Sequence, residues 1–104
     1  MIDNRQKVLN LLGLAQKSQN LISGAPQVIE GIRNSSVQLV FLATDTAKNN
    51  QKDITNKASY YKVPIITDFT SHDFEQAIGK NRKILAICDK GFSQAIQKYY
   101  SEEV

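Results

Sequence analysis

Cysteine and histidine are scarce in this sequence, and their scarcity argues against several kinds of protein. The single cysteine, Cys88, cannot form an internal disulfide, so we expect an intracellular chain. Cys88 ends an apolar run and is predicted to be a buried, inert thiol. The single histidine, His72, lies on another predicted element, and a metal site needs clustered ligands. No spacing places His72 in a nucleophile–histidine–acid arrangement. We therefore expect no catalytic residue, no metal and no cofactor.

Glycine is also sparse and scattered. The five glycines stand at positions 13, 24, 31, 79 and 91, and they form neither the G-x-x-x-x-G-K-[ST] nor the G-x-G-x-x-G loop. A nucleotide-binding enzyme should show one of these phosphate-binding loops. Aspartates that follow predicted strands, such as Asp45, are interpreted as helix caps or turn formers. The expected protein is not an enzyme.

No apolar stretch approaches the roughly 20 residues that a bilayer-crossing helix requires. The N-terminal segment lacks the charged and apolar blocks of a signal peptide, so a cytoplasmic protein without a membrane partner is expected. Hydrophobic residues make up 41% and charged residues 22%, which is typical of a folded domain, and 104 residues suit one domain spanning 1–104. The formal net charge of +3 permits a polyanionic partner without requiring one.

Helix-spaced and continuous apolar segments alternate along the chain. This alternation predicts an α/β fold, a three-layer α/β/α sandwich with a central mixed sheet of about four strands. The order of the strands cannot be read from the pattern. The predicted helices cover the apolar positions of 8–15, behind Asp3, and the segments 26–32, 47–61, 71–78 and 92–100, and the predicted strands lie near 21–22, 39–43, 63–67 and 84–88.

Local signals refine several element ends. Asp3 is a candidate N-cap for the first helix. Leu14 widens the apolar face of this helix, so we expect the rest of the fold to cover the helix well. The Thr44–Thr46 segment can cap the third helix. Ser71 or Asp73 should open the fourth. Gly79 can end the fourth helix in a left-handed conformation.

Three surface features could contact RNA. A glycine turn enters the second helix, whose free N–H groups suit a phosphate. A basic loop follows the fourth helix, and cations without acids between them favour a phosphate backbone. The third helix carries a polar face. The turn could equally be an ordinary strand-to-helix connection, and the basic loop and the polar face are more often solvated surfaces. The turn consists of Ser23, Gly24, Ala25, Pro26 and Gln27. The basic loop consists of Gly79, Lys80, Asn81, Arg82 and Lys83. The polar face of the third helix carries Lys48, Asn49 and Lys52.

An ordered set of motifs resembles the superfamily of ribosomal proteins L-seven-Ae and L-thirty-e, and most closely its small bacterial members, the YlxQ-type proteins. No single motif is specific, but the set covers essentially the whole chain in the family's order. The resembling stretches are Leu11-Leu12-Gly13-Leu14-Ala15-Gln16-Lys17, Leu21-Ile22-Ser23-Gly24, Leu39-Val40-Phe41-Leu42-Ala43-Thr44-Asp45, Tyr60-Tyr61-Lys62-Val63-Pro64, Ala77-Ile78-Gly79-Lys80 and Asp89-Lys90-Gly91-Phe92.

The resemblance implies a protein that binds RNA kink-turns through the turn before the second helix and the loop before the last strand. On this chain those segments are 23–27 and 79–83, which the residue patterns also select. Lys17, at the end of the first resembling stretch, is a further predicted RNA contact. Structured RNA is the expected partner, the ribosome is a candidate assembly, and a monomer is the default state.

The sequence departs from the family pattern at the first of these segments. Ribosomal members carry Gly-x-Asn-Glu with a lysine three residues later, whereas this chain has Pro26 for the asparagine, Gln27 for the glutamate and Glu30 for the lysine. Gln27 can still exchange hydrogen bonds with a guanine edge, but Glu30 would repel phosphate if it faced the RNA. Weaker or differently selective binding is expected.

Two other functions fit the same residues. The fold resembles the RNA-recognition domains fused to some ribose methyltransferases, so the chain could act in trans for such an enzyme. The modest charge also leaves open a protein-interaction module with no role in RNA binding. Co-purifying nucleic acid would count against that module.

Overall fold

The computed structural model describes residues 3–103. It confirms the α/β/α sandwich with a four-stranded mixed sheet. Within residues 3–103, no helix combines the length and apolar character that crossing a bilayer requires. The elements are α1 Asn4–Lys17, β1 Leu21–Ser23, α2 Ala25–Arg33, β2 Leu39–Leu42, α3 Lys48–Tyr60, β3 Ile65–Ile66, α4 Ser71–Ile78, β4 Ile84–Ile87 and α5 Lys90–Glu103.

The strand order of the sheet is β1-β4-β2-β3. The last strand, β4, lies between β1 and β2 and runs antiparallel to both, while β2 and β3 are parallel. The strand predicted over 63–67 shortens to Ile65–Ile66 at the sheet edge. Pro64 has no N–H to donate there, and its carbonyl accepts from the amide of Val40 at 3.0 Å.

Two apolar cores lie on opposite faces of the sheet. Leu39 and Phe41 of β2 point to the core beneath α1, α4 and α5, whereas Val40 and Leu42 point to the core beneath α2 and α3. Because successive strand residues face opposite sides, a strand covered on both faces is apolar throughout. This explains why β2 and β4 appear in the sequence as continuous apolar runs.

Side-chain caps mark the starts of α1 and α4. Asp3 accepts a hydrogen bond from the Gln6 amide at 2.8 Å, which confirms it as the N-cap of α1. Helix α4 opens at Ser71, one of the two predicted starts, and Thr70 is its N-cap, with Asp73 completing a capping box.

The outer face of α1 differs from the prediction. Leu14 is 53% exposed, so α1 is less well covered than its apolar spacing indicated. Gly13 explains the close approach of the neighbouring helix, since a Cβ there would lie 2.8 Å from the Ala77 carbonyl oxygen. Helix α4 therefore packs beside α1 at Gly13 without covering Leu14.

Candidate nucleic-acid interface

Three segments meet at one edge of the sheet. Strands β1 and β2 end there and β4 begins there, because Ser23 pairs with Leu85 and Leu42 pairs with Ile84. The turn into α2, the loop before β4 and the segment leading to α3 are therefore neighbours. The chain order separates these segments by up to 60 residues, and the antiparallel position of β4 brings them together.

The first segment is the turn at Gly24, between β1 and α2. Gly24 has a φ of 93°, in the region that favours glycine, and its N–H donates to the Ile84 carbonyl at 3.0 Å. Pro26 occupies the first turn of α2, as predicted from its missing N–H. In the described chain, no side chain caps this helix start. Ala25 and Gln27 supply the N–H groups of this first turn, to which an anion could bond, and Pro26 has none.

The second segment is the basic loop between α4 and β4. Gly79 ends α4 in the left-handed conformation, with a φ of 76°, as the sequence predicts. The loop is anchored at its far end, where the Lys83 carbonyl accepts from the Ala43 amide at 2.8 Å. Lys80, Asn81, Arg82 and Lys83 are all exposed. The backbone of the loop is thus fixed to the sheet while its cationic side chains face solvent.

The third segment is the start of α3, where Lys48, Asn49 and Lys52 are exposed. Buried Thr46 ties this segment to the basic loop, since its hydroxyl donates to the carbonyls of Ala43 at 2.7 Å and of Lys83 at 3.5 Å. These bonds hold the beginning of α3 beside the basic loop.

Asp45 does not cap α3, contrary to the prediction for the Thr44–Thr46 segment. Ala47 is the N-cap of α3 and makes no side-chain capping bond. Asp45 instead accepts from the amide and hydroxyl of Ser71, at the start of α4. These two bonds, with a smaller contribution from the nearby Lys83 cation, hold the pKa of the Asp45 carboxyl below its ordinary value.

The charge at this edge is mainly positive. The three segments 23–27, 48–52 and 79–83 contain five cations and no acid. The acids beside them include Asp45, bonded to Ser71, Asp68, which follows β3 at the same edge, and Glu30, one turn along α2 from Gln27. The structure brings together twelve of the thirteen predicted contacts: Ser23, Gly24, Ala25, Gln27, Lys48, Asn49, Lys52, Gly79, Lys80, Asn81, Arg82 and Lys83.

Lys17 does not join them. It lies in the last turn of α1, at the opposite end of β1 from Gly24, and lines a groove between α1 and α4 with Leu14 and His72. Its role in RNA contact stays a prediction.

Gln27 and Glu30 line the same shallow groove, of about 380 Å³, together with Ile22 and Cys88. The two side chains therefore share a surface, as their spacing of three residues along a helix indicates.

Cys88 is half-buried in this groove rather than fully buried as predicted, and its partial burial raises the pKa of the thiol. Between residues 3 and 103, no cluster of three histidine, cysteine, aspartate or glutamate side chains could hold a metal ion.

Comparison with known proteins gives consistent matches over most of the chain. The model of the Ribosomal protein L7Ae/L30e/S12e/Gadd45 family matches residues 6–97. A relative from Enterococcus faecium, named RNA-binding protein YlxQ, is 43% identical over 91 residues, which cover 88% of each chain. A protein of the same name from Bacillus subtilis (strain 168) is 38% identical over 87 residues, covering 83% of this chain and 87% of that protein.

Two solved structures have the same fold. A Bacillus halodurans protein described as of unknown function superposes with a TM-score of 0.87 at 31% identity, covering 91% of this chain and 97% of the other. The Giardia lamblia 15.5kD RNA binding protein superposes with a TM-score of 0.79, covering 95% of this chain and 86% of the other. Because the identity is only 14%, the similarity to the Giardia lamblia protein shows a shared fold and nothing more.

Proposed function

Because this chain belongs to the Ribosomal protein L7Ae/L30e/S12e/Gadd45 family, we propose that it is a non-catalytic RNA-binding protein that recognises kink-turn or similarly bent RNA. The observation that carries the proposal is the junction at the sheet edge, where the Gly24 amide bonds to Ile84 and the Lys83 carbonyl bonds to Ala43. The two YlxQ relatives, both named as RNA-binding proteins, support the same function.

A bent RNA suits this junction for geometric reasons. Regular A-form helices hide their major-groove edges, so proteins read loops, bulges and distorted pairs. The uncapped start of α2 offers N–H groups and the positive end of a helix dipole to one phosphate. The cations of the adjoining loop offer charge to others, and a sharply bent backbone brings phosphates close enough to meet both.

Gln27 is proposed to read base edges, and Lys80, Arg82 and Lys83 to neutralise the backbone. The Gln27 side chain is exposed in the first turn of α2 and has both a donor and an acceptor for a guanine edge. Glu30 lines the same groove and places a negative charge beside it. Because of this negative charge, the chain should bind RNA more weakly than family members that have a lysine at position 30.

The test is a titration with a short kink-turn RNA and with the same RNA after its tandem G·A pairs are changed to Watson–Crick pairs. Tight binding that this change abolishes is the expected result, and Gln27→Ala should weaken it by about 1–3 kcal/mol. Equal, steeply salt-dependent binding to both RNAs would replace kink-turn recognition by general backbone binding. Absence of binding to either RNA would favour the protein-interaction module.

In the cell, we propose that a monomer of this protein works in the cytoplasm on RNA of the translation machinery. The family description, which names ribosomal proteins, supports this assignment. Sucrose-gradient sedimentation of a lysate tests it. Co-migration with ribosomal particles that a Gln27→Ala variant loses is expected, whereas migration only at the top of the gradient would refute it.

A further inference from the structure

Two adjacent tyrosines are exposed at the C-terminal end of α3, outside the interface described above. Tyr60 is 79% exposed and Tyr61 is 41% exposed. Their ring centroids lie 4.9 Å apart at an interplanar angle of 76°, so each ring restrains the other in an edge-to-face pair. A restrained, solvent-facing ring loses little freedom when a flat ligand stacks on it.

A continuous polar surface joins this pair to the sheet-edge interface. Lys48, Lys52, Asn56 and Tyr60 follow one another at intervals of four residues, so each is a surface neighbour of the next along α3, and all four are exposed. The first two belong to the interface already described. The rise of the helix separates Lys48 from Tyr60 by about 18 Å.

The charge around the tyrosines suits a polyanion. Asp53 is engaged with Lys57 at 3.3 Å, and from residue 54 to residue 67 the sequence contains no acid. Lys62 is exposed beside the pair and lines a groove with Tyr61 and the loop after α2. Cations interleaved with aromatic rings are the surface that unpaired nucleotides recognise, through phosphate contacts and base stacking.

We propose that unpaired nucleotides flanking the bent RNA run along α3 and stack a base on Tyr60. This inference rests on the proposed function and adds to it a single-stranded extension of the site. A nucleic-acid occupant is favoured over a protein because the polar surface of α3 is continuous with the cationic interface at its start and because Lys62 lies beside the tyrosines. The phosphates would pass Lys48 and Lys52, and the ring of Tyr60 would receive a base.

The experiment compares the kink-turn RNA alone with the same RNA carrying a single-stranded tail of about eight nucleotides. One tail contains adenosines and the other contains abasic sugars, so the two differ in bases but not in phosphates. Each tail is attached at the 5′ and the 3′ end in turn. Wild type, Tyr60→Ala and Tyr60→Phe are titrated with each RNA, and circular dichroism verifies that the variants fold.

In wild type, the adenosine tail at one end should tighten binding on the order of tenfold more than the abasic tail does. Tyr60→Ala should lose this difference, and Tyr60→Phe should keep it because the ring remains. A Lys52→Gln variant should weaken both tailed RNAs alike, since it removes charge and not stacking.

The outcomes separate the two proposals. If wild type binds the untailed RNA but Tyr60→Ala leaves the gain from the adenosine tail unchanged, the stacking is refuted and the proposed function stands. An equal loss for tailed and untailed RNA in Tyr60→Ala would also refute it. If wild type does not bind the untailed RNA but binds the adenosine-tailed RNA through Tyr60, the stacking stands and kink-turn recognition fails. Binding of neither refutes both, and the tyrosine pair then becomes a candidate protein-binding surface.

Discussion

The salt dependence of RNA binding should report how many cations of the sheet edge contact phosphate. Five exposed cations lie there: Lys48, Lys52, Lys80, Arg82 and Lys83. Each phosphate that a cation neutralises contributes about 0.7–0.9 to the slope of log K against log salt. If all five make contact, the slope is about −4, and affinity should fall about 250-fold between roughly 50 mM and 200 mM salt.

Removing two of these cations gives a quantitative check. A Lys80→Gln, Lys83→Gln variant should have a slope shallower by about 1.6, so that the same salt step costs only about thirtyfold. The fold should be unaffected, because the loop is anchored by the backbone carbonyl of Lys83 and not by its side chain. Fluorescence anisotropy with labelled kink-turn RNA at four or more salt concentrations measures both slopes.

Lys98→Gln is the matched control. Lys98 is exposed on α5, in the layer that packs on the other face of the sheet from α2 and α3. The control variant should keep the wild-type slope. A double variant with an unchanged slope, or a control with the same decrease, would remove the basic loop from the proposed contact.

Three further changes test other parts of the structure. Glu30→Lys should tighten RNA binding by about threefold to tenfold in low salt, because it reverses a charge beside Gln27, and anisotropy measures the gain. Gly13→Ala should lower the free energy of unfolding by about 1–3 kcal/mol in urea titrations, because the added Cβ would lie 2.8 Å from the Ala77 carbonyl oxygen. Asp45 should stabilise the fold above a pH of about 3.9 and lose this effect as the pH falls through its depressed pKa, so Asp45→Asn should reduce that acid-dependent loss in urea titrations across pH.

Each of these has its own contrary result. Unchanged or weaker RNA binding by Glu30→Lys would mean that the α2 groove does not face the RNA. A neutral Gly13→Ala would show that α1 and α4 separate at little cost. An Asp45→Asn variant with the wild-type acid profile would mean that the bonds to Ser71 do not contribute to the free energy of unfolding.

The candidate site was only partly predictable. The turn at Gly24 and the loop at Lys80–Lys83 were selected by local residue patterns and by the family resemblance, both of which depend on the order of residues along the chain. Lys17 follows from the family resemblance alone, and it lies at the other end of β1. The exposed ring of Tyr60 carried no signal, since a tyrosine at the end of an amphipathic helix is as consistent with the core as with the surface.

Sequence alone determined the number, type and order of the elements and their arrangement in three layers. These properties follow from apolar periodicity, caps and turns, in which the interacting residues are close along the chain. Tertiary structure decided which segments meet. The position of β4 between β1 and β2 places the basic loop beside Gly24 and the start of α3, and Asp45 bonds to Ser71, 26 residues away. Strand pairing joins residues distant in sequence, and the apolar runs of β2 and β4 would be buried equally well in another order.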